Sequence, residues 1–385
     1  MKIVIAPDSF KENLTSLQVA EAIERGIKRV LPKARCVKIP MADGGEGTVQ
    51  SLVDATGGKL VRKKVTGPLG TPVTACYGLL GNGSTAVIEM AEASGLPLVP
   101  KDQRDPLRTT TYGTGELMKD AMAKGASKLI IGIGGSATVD GGCGMAQALG
   151  IRFLDGKGKP LTDHACGGML ERIAAIDASQ VDPRLRKLEV VIASDVDNPL
   201  IGPRGAAHVF GPQKGATPEM VQRLDAGLKN LASVIKKDLK KDLVKLPGAG
   251  AAGGLGAGLV AFAGAKMRSG VDIVVDATQL HKHVKGATLV ITGEGRVDFQ
   301  TAFGKTPSGV AKVAKKHKIP VVAVGGGLAD DAHGVFAHGI DALETATARD
   351  MDLAYAIAHS REYLANAGER IARWILVAKK IAKSR

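Results

Sequence analysis

The sequence predicts an α/β protein: a doubly wound, five-stranded parallel sheet interrupted by a large inserted α/β domain. Three observations predict it. Apolar, buried-type runs end in glycine and charged residues with no spacer, as where residues 1–6 meet Pro7-Asp8-Ser9 and residues 287–291 meet Thr292-Gly293-Glu294-Gly295-Arg296-Val297-Asp298. Strand and helix patterns alternate regularly at both ends of the chain and give way to a different texture between them. The 385 residues also exceed one typical core, so two domains are expected.

Residues 2–6 read as a buried strand. Thr15-Ser16-Leu17-Gln18 forms a capping-box pattern, in which the hydroxyl and the amide satisfy free N–H groups at a helix start. Ala20, Ile23, Ile27 and Val30 then keep the helical period, and Pro32 ends it. A strand over 37–41 follows, running into Asp43-Gly44-Gly45-Glu46-Gly47. A helix over 46–55 is closed by Gly57-Gly58. After Thr66 come hairpin-like pieces and glycine-rich connections, with strands over 85–90, 128–133 and 188–193 and helices over 115–123 and 218–239.

Near residue 287 the alternation resumes. Expected are a strand over 288–292, a helix over 307–317 and a strand over 320–324 that runs into Gly325-Gly326-Gly327. A short helix over 331–337, a strand over 341–345 and a final helix from about Met351 complete the chain. Two strand–helix units before the interruption and three after it match a flavodoxin-like sheet. Residues 1–60 and 285–385 are therefore expected to form one discontinuous domain around an insert at 61–284.

Composition narrows the function. The formal net charge of +14 attracts anions, either nucleic acid or small acids. Lysines and arginines are spread along the chain, and only 3% of residues are aromatic, which leaves few stacking platforms for single strands, so no nucleic-acid partner is expected. Cys36, Cys76, Cys143 and Cys166 form no CxxC pair and read as buried free thiols of a reducing compartment. The first apolar run is too short for a signal peptide and no run has membrane-spanning length, so a cytoplasmic protein without a membrane partner is expected.

Several motifs carry chemistry. Glu294, Arg296 and Asp298 put three unlike charges into five residues after a buried strand, which suits a metal or an anion. Asp8, Ser9 and Lys11 occupy the same position after the first strand, as a helix cap or as an anion contact. Gly134, Gly135, Ser136, Thr138 and Asp140 follow a strand and precede a helix near Gly142, where free N–H groups bind anions. Asp195 and Asp197, in Ser194-Asp195-Val196-Asp197-Asn198-Pro199 after a strand, suit Mg²⁺ coordination or proton abstraction from an alcohol, or else an Asx-type turn before Pro199. Lys214 reads as a solvated loop lysine. Asp272 and Asp276, flanking Ile273-Val274-Val275, read as a strand boundary or as functional carboxylates.

Other signals fail their context. Gly304-Lys305-Thr306 resembles the end of a P-loop, but Phe299 stands where its first glycine belongs. The GxGxxG at 248–253 follows a lysine-rich helix and Pro247 rather than a strand. There is no zinc spacing and no GxSxG elbow. A crevice of glycine, carboxylate, hydroxyl and lysine suits phosphoryl transfer, in which a protein positions groups and neutralises charge with Mg²⁺ and cations.

APDSFK at 6–11, ADGGEGT at 42–48, TTYGTGEL at 110–117, GIGGSATVDGG at 132–142 and SDVDNPL at 194–200 resemble the type I glycerate kinases of bacteria. So do FGPQKGA at 210–216, GAGAAGGLGAG at 248–258, TGEGRVDFQT at 292–301 and GKTPSGVA at 304–311. The resemblance implies ATP-dependent phosphorylation of D-glycerate, usually at the 2-hydroxyl, and an insert of restriction-endonuclease-like topology. The expected mechanism is in-line transfer from MgATP, with Asp195 as first and Asp298 as second choice of proton acceptor. Lys11 and Arg296 hold the glycerate carboxylate or the transferring phosphoryl group. Gly134, Gly135, Ser136 and Thr138 cradle the ATP phosphates, and Asp43 and Glu46 hold Mg²⁺. Asp8, Ser9, Asp140, Asn198, Glu294 and Lys305 complete the expected substrate and nucleotide contacts. Transfer to the 3-hydroxyl, a related small hydroxy acid and a non-catalytic metabolite sensor stay open, as does a homodimer. One departure is local: where the pattern leads one to expect Lys-Gly-Ser after the first strand, the chain has Lys11-Glu12-Asn13.

Overall fold

The computed structural model describes residues 1–384. Along the chain the strands are β1 (Lys2–Ile5), β2 (Arg35–Lys38), β3 (Lys59–Thr66), β4 (Pro72–Leu79), β5 (Thr85–Glu89) and β6 (Lys128–Gly132). They continue with β7 (Arg152–Leu154), β8 (Ala175–Asp177), β9 (Glu189–Ala193), β10 (Lys266–Arg268), β11 (Leu289–Val297), β12 (Val321–Leu328) and β13 (Ala342–Thr345). Contacts divide the chain into two compact units. The first runs from Met1 to Gly57 and resumes at Val271; the second is Gly58–Gly270.

The first unit is built on a five-stranded sheet in the order β13-β12-β11-β1-β2, with every pairing parallel. Helix Ser16–Val30 begins with the predicted capping box: Thr15 Oγ1 accepts from Gln18 N, and Gln18 Oε1 accepts from Thr15 N. It buries Val19, Ala20, Ile23 and Ile27 against the sheet core. Helix Ser360–Lys383 crosses it so closely that a Cβ on Gly26 would lie 1.7 Å from Ala365 O, and one on Gly368 2.3 Å from Ile23 O. Helix Thr48–Thr56 ends at Gly57, whose φ of 65° is the left-handed conformation glycine adopts freely.

Several boundaries differ from expectation for physical reasons. β2 covers residues 35–38, and Met41 is buried beyond it. β11 does not stop at Thr292 but continues through the charged segment, pairing Glu294 with Gly325 and Arg296 with Gly327. Glycine allows this: a Cβ on Gly293 would lie 2.1 Å from Val324 O, and one on Gly326 2.4 Å from Gly295 O. The expected strand boundary at Asp272 and Asp276 is instead helix Gly270–Ala277. The two aspartates, four apart, share its exposed side, while Val271, Ile273, Val274 and Val275 are buried. Val271 lies so near Gly309 that a Cβ there would meet its Cγ1 at 1.9 Å, so the return to the first unit comes at Val271 rather than near residue 285.

The second unit holds a six-stranded mixed sheet, β10-β9-β6-β5-β4-β3. β3 and β4 form an antiparallel hairpin whose first strand ends at Thr66, where the hairpin-like pieces are expected to begin, and β5, β6, β9 and β10 are parallel. Helix Pro218–Leu239 matches its expected span and is capped by Thr217. Tyr77 is fully buried and donates its hydroxyl to Asp120 Oδ2 at 2.8 Å. All four cysteines are free; Cys143 is buried, and the other three are only half-buried, against the expectation of buried thiols. No helix among the described residues is long and apolar enough to cross a membrane.

Candidate active site

The order in which strands are added to the first unit's sheet reverses at β1, which pairs with β2 on one side and β11 on the other. In open α/β sheets ligands bind beyond the strand carboxyl ends at such a switch point. A cavity of about 1010 Å³ opens there, and its lining includes Asp8, Ser9, Lys11, Asp43, Glu294, Arg296, Asp298 and Lys305. The sequence reading thus converges on one place for eight of its candidates.

Asp8 is the best-anchored of them. Its N–H donates to Gly293 O at 2.8 Å, tying the end of β1 to β11. Its Oδ1 accepts from Ser9 N at 2.7 Å and its Oδ2 from Thr306 Oγ1 at 2.5 Å. It is only 6% exposed. Burial, with Asp43 and Glu294 adding repulsion against the Thr306 and Ser9 hydrogen bonds, pushes its carboxyl up to about 7.

Glu294 accepts from Thr301 Oγ1 at 2.6 Å and has Lys305 Nζ at 3.5 Å. Burial raises its pKa against those two partners. Asp298 caps the turn Phe299–Ala302, accepting from Thr301 N at 3.2 Å, and has Lys305 Nζ at 3.4 Å. Lys305 is thus shared by two carboxylates at the start of helix Thr306–Lys316. Lys11 and Arg296 are exposed, and neither has an ion-pair partner among the described residues, so both are free to meet an anion. Asp43 Oδ1 accepts from Gly45 N at 3.0 Å. Glu46 is exposed and lines an adjoining hollow of about 200 Å³ with Ser9 and Lys11. Among the described residues, no group of three or more histidine, cysteine or acidic side chains is arranged to hold a metal.

The second unit carries another polar cluster. Gly134 and Gly135 are exposed beyond β6, and Gly135 has φ of 74°. Leu96 N donates to Gly135 O and Ala137 N to Ser94 O, which fixes the turn. Asp140, expected as a ligand contact, makes its hydrogen bonds within the fold. It is fully buried and accepts from Thr111 N, Thr111 Oγ1, Gly142 N and Gly144 N at 2.7–3.1 Å. Four donors from the chain itself fill a carboxylate's acceptor sites.

Sequence reasoning missed Lys214. It is 1% exposed, not solvated. Its Nζ donates to Ser136 Oγ and to Thr138 O, each at 2.7 Å. Burial pushes its pKa down to about 7, opposed by the charge of Asp140. The available signal was its setting: a single lysine between Gly211-Pro212 and Gly215, away from any charge run. The GxGxxG segment also gains a role in packing. A Cβ on Gly253 would lie 1.9 Å from Thr138 O, and Gly253 O accepts from Gly141 N. Asp195 is exposed just beyond β9, and Asn198 Nδ2 donates to Arg204 O at 2.8 Å, which holds its own loop.

Comparison with known proteins agrees over the whole length. The family model described as the Glycerate kinase family matches residues 3–376. The chain is 54% identical over 384 residues to the glycerate kinase of Bacillus subtilis (strain 168), covering 100% of this chain and 99% of that one. It is 53% identical over 343 residues to the glycerate 2-kinase of Escherichia coli (strain K12), covering 89% and 90%. A crystal structure assigned to glycerate kinase 2 from Salmonella typhimurium LT2 superposes with a TM-score of 0.91 at 49% identity, covering 99% of both chains.

Proposed function

Because the chain belongs to the glycerate kinase family, we propose that it transfers the γ-phosphoryl group of ATP to the 2-hydroxyl of D-glycerate, releasing 2-phosphoglycerate and ADP. The observation that carries the reading is the switch-point cavity, where a buried Asp8 shares one lining with Lys11, Arg296 and Lys305. The strand order β13-β12-β11-β1-β2 supports a flavodoxin-like first unit. The insert is read from the resemblance as restriction-endonuclease-like.

Phosphoryl transfer needs positioning, charge neutralisation and a proton acceptor. Lys11 and Arg296, exposed on the cavity wall, hold the glycerate carboxylate or the transferring group. The sequence favours Asp195, then Asp298, as proton acceptor. Asp8 is set before both here: like Asp298 it is held by hydrogen bonds, from Ser9 N and Thr306 Oγ1, but burial pushes its carboxyl up to about 7, a value matched to taking a proton at neutral pH. In the second unit, Gly134, Gly135 and Ser136 form the candidate seat for nucleotide phosphates. Mg²⁺ commonly takes one or two carboxylates and completes its shell with phosphate and water. Asp43, whose charge already bears on Asp8, is with Glu46 the proposed holder. When bound, the ion would neutralise phosphate charge.

The test is glycerate-dependent ADP release from MgATP by purified protein. Turnover with D-glycerate is expected. Turnover only with another hydroxy acid would keep the kinase and replace its substrate, and ADP release with none would overturn the reading.

A further inference from the structure

We propose that Lys214 is a positioning residue for nucleotide phosphate: its ammonium holds the Gly134–Thr138 turn and turns the Ser136 hydroxyl outward as a donor to an anion. This rests on the reading of that turn as the phosphate seat.

A lysine ammonium only donates hydrogen bonds. Lys214 Nζ donates to Ser136 Oγ and to Thr138 O, so it joins a side chain and a carbonyl two residues apart in one turn. With Ser136 Oγ accepting from Lys214, the Ser136 O–H proton is left to donate elsewhere. The turn's backbone is already fixed through Gly135 O and Ala137 N, so a lysine is not required to fold it. Burying an ammonium is unfavourable unless its charge is used. The charge of Asp140 favours the ammonium, but the hydrogen bonds of that carboxylate come from Thr111, Gly142 and Gly144, so the ammonium's own donors are spent on the turn. A second group in the same turn, Thr138 Oγ1, is buried with no hydrogen-bond partner among the described residues. Buried polar atoms are seldom left so, and a ligand that reaches the turn would account for it. Gly134 and Gly135, exposed and without side chains, leave the approach open.

The experiment is steady-state kinetics on the whole chain, varying MgATP and D-glycerate separately, for wild type, Lys214→Met, Ser136→Ala and the double variant. Equilibrium titration of each with MgATP accompanies it. Each single variant should raise KM for MgATP roughly 10- to 100-fold, the factor for one lost charge-assisted hydrogen bond. KM for D-glycerate should stay put. The double variant should be no worse than the worse single, because the two residues act as one device. Unchanged MgATP affinity in a folded Lys214→Met, or multiplying effects in the double variant, would overturn the proposal. Should Lys214→Met not fold, Ser136→Ala decides alone, and wild-type affinity in it refutes the device. A wild type that binds MgATP but does not phosphorylate glycerate would refute the kinase reading, while the titrations still judge Lys214.

Discussion

Asp8 concentrates the residue-scale argument. A base must be deprotonated to work, so kcat/KM should rise as pH rises through about 7, the value to which burial and Asp43 push this carboxyl. An acid limb near the ordinary carboxylate range would instead return the role to Asp195 or Asp298. The same shift predicts a stability effect. A folded-state pKa raised above the unfolded one stabilises below about pH 4 and loses that stabilisation as pH passes about 7. Asp8→Asn, neutral throughout, should therefore unfold at higher denaturant than wild type at pH 8, by on the order of 3 kcal/mol, while kcat falls about 10²-fold or more. Glu12 gives a second prediction. Its φ of 60° is left-handed, at the position where the family pattern leads one to expect glycine. Glu12→Gly should stabilise by about 0.5–1 kcal/mol in urea unfolding, the relief of strain exceeding glycine's extra unfolded entropy. That Asp8, Glu294 and Arg296 would gather at one cavity was legible because charge follows an apolar run directly. Lys214 and Asp140 were not. Their burial and partners come from residues far along the chain, Ser136 for one and Thr111 for the other.

At the scale of elements, local signals served best where the chain itself closes the structure. The Thr15 capping box and Pro32 bound the first helix, and Gly57 ended the second. Local signals failed where a neighbour decided. β11 runs on through Glu294 and Arg296 because three glycines on β12 accept a partner strand without side-chain conflict. The β-branched run 273–275 reads as strand, yet the spacing of Asp272 and Asp276 obeys the helix that forms. Glycine also sets the crossing of helices Ser16–Val30 and Ser360–Lys383. Alanine normally stabilises a helix interior relative to glycine. At Gly26 the sign should reverse, because the new methyl would meet Ala365 O at 1.7 Å. Gly26→Ala should cost about 1–3 kcal/mol, read as a lower unfolding midpoint at unchanged m.

For the whole molecule, the net charge of +14 and the anionic reactants belong together. Long-range attraction is screened by salt, so kcat/KM for D-glycerate should fall as ionic strength rises, with kcat less affected. The α/β class was legible because periodicity changes twice along the chain, and both units carry the parallel strands that the apolar runs announced. What remains decisive is which hydroxyl receives the phosphate. Product formed from MgATP and D-glycerate should be passed to enolase, with and without phosphoglycerate mutase. The account predicts that enolase alone consumes it, since 2-phosphoglycerate is enolase's substrate. Consumption only when the mutase is present would put the phosphate on the 3-hydroxyl and contradict the proposed reaction.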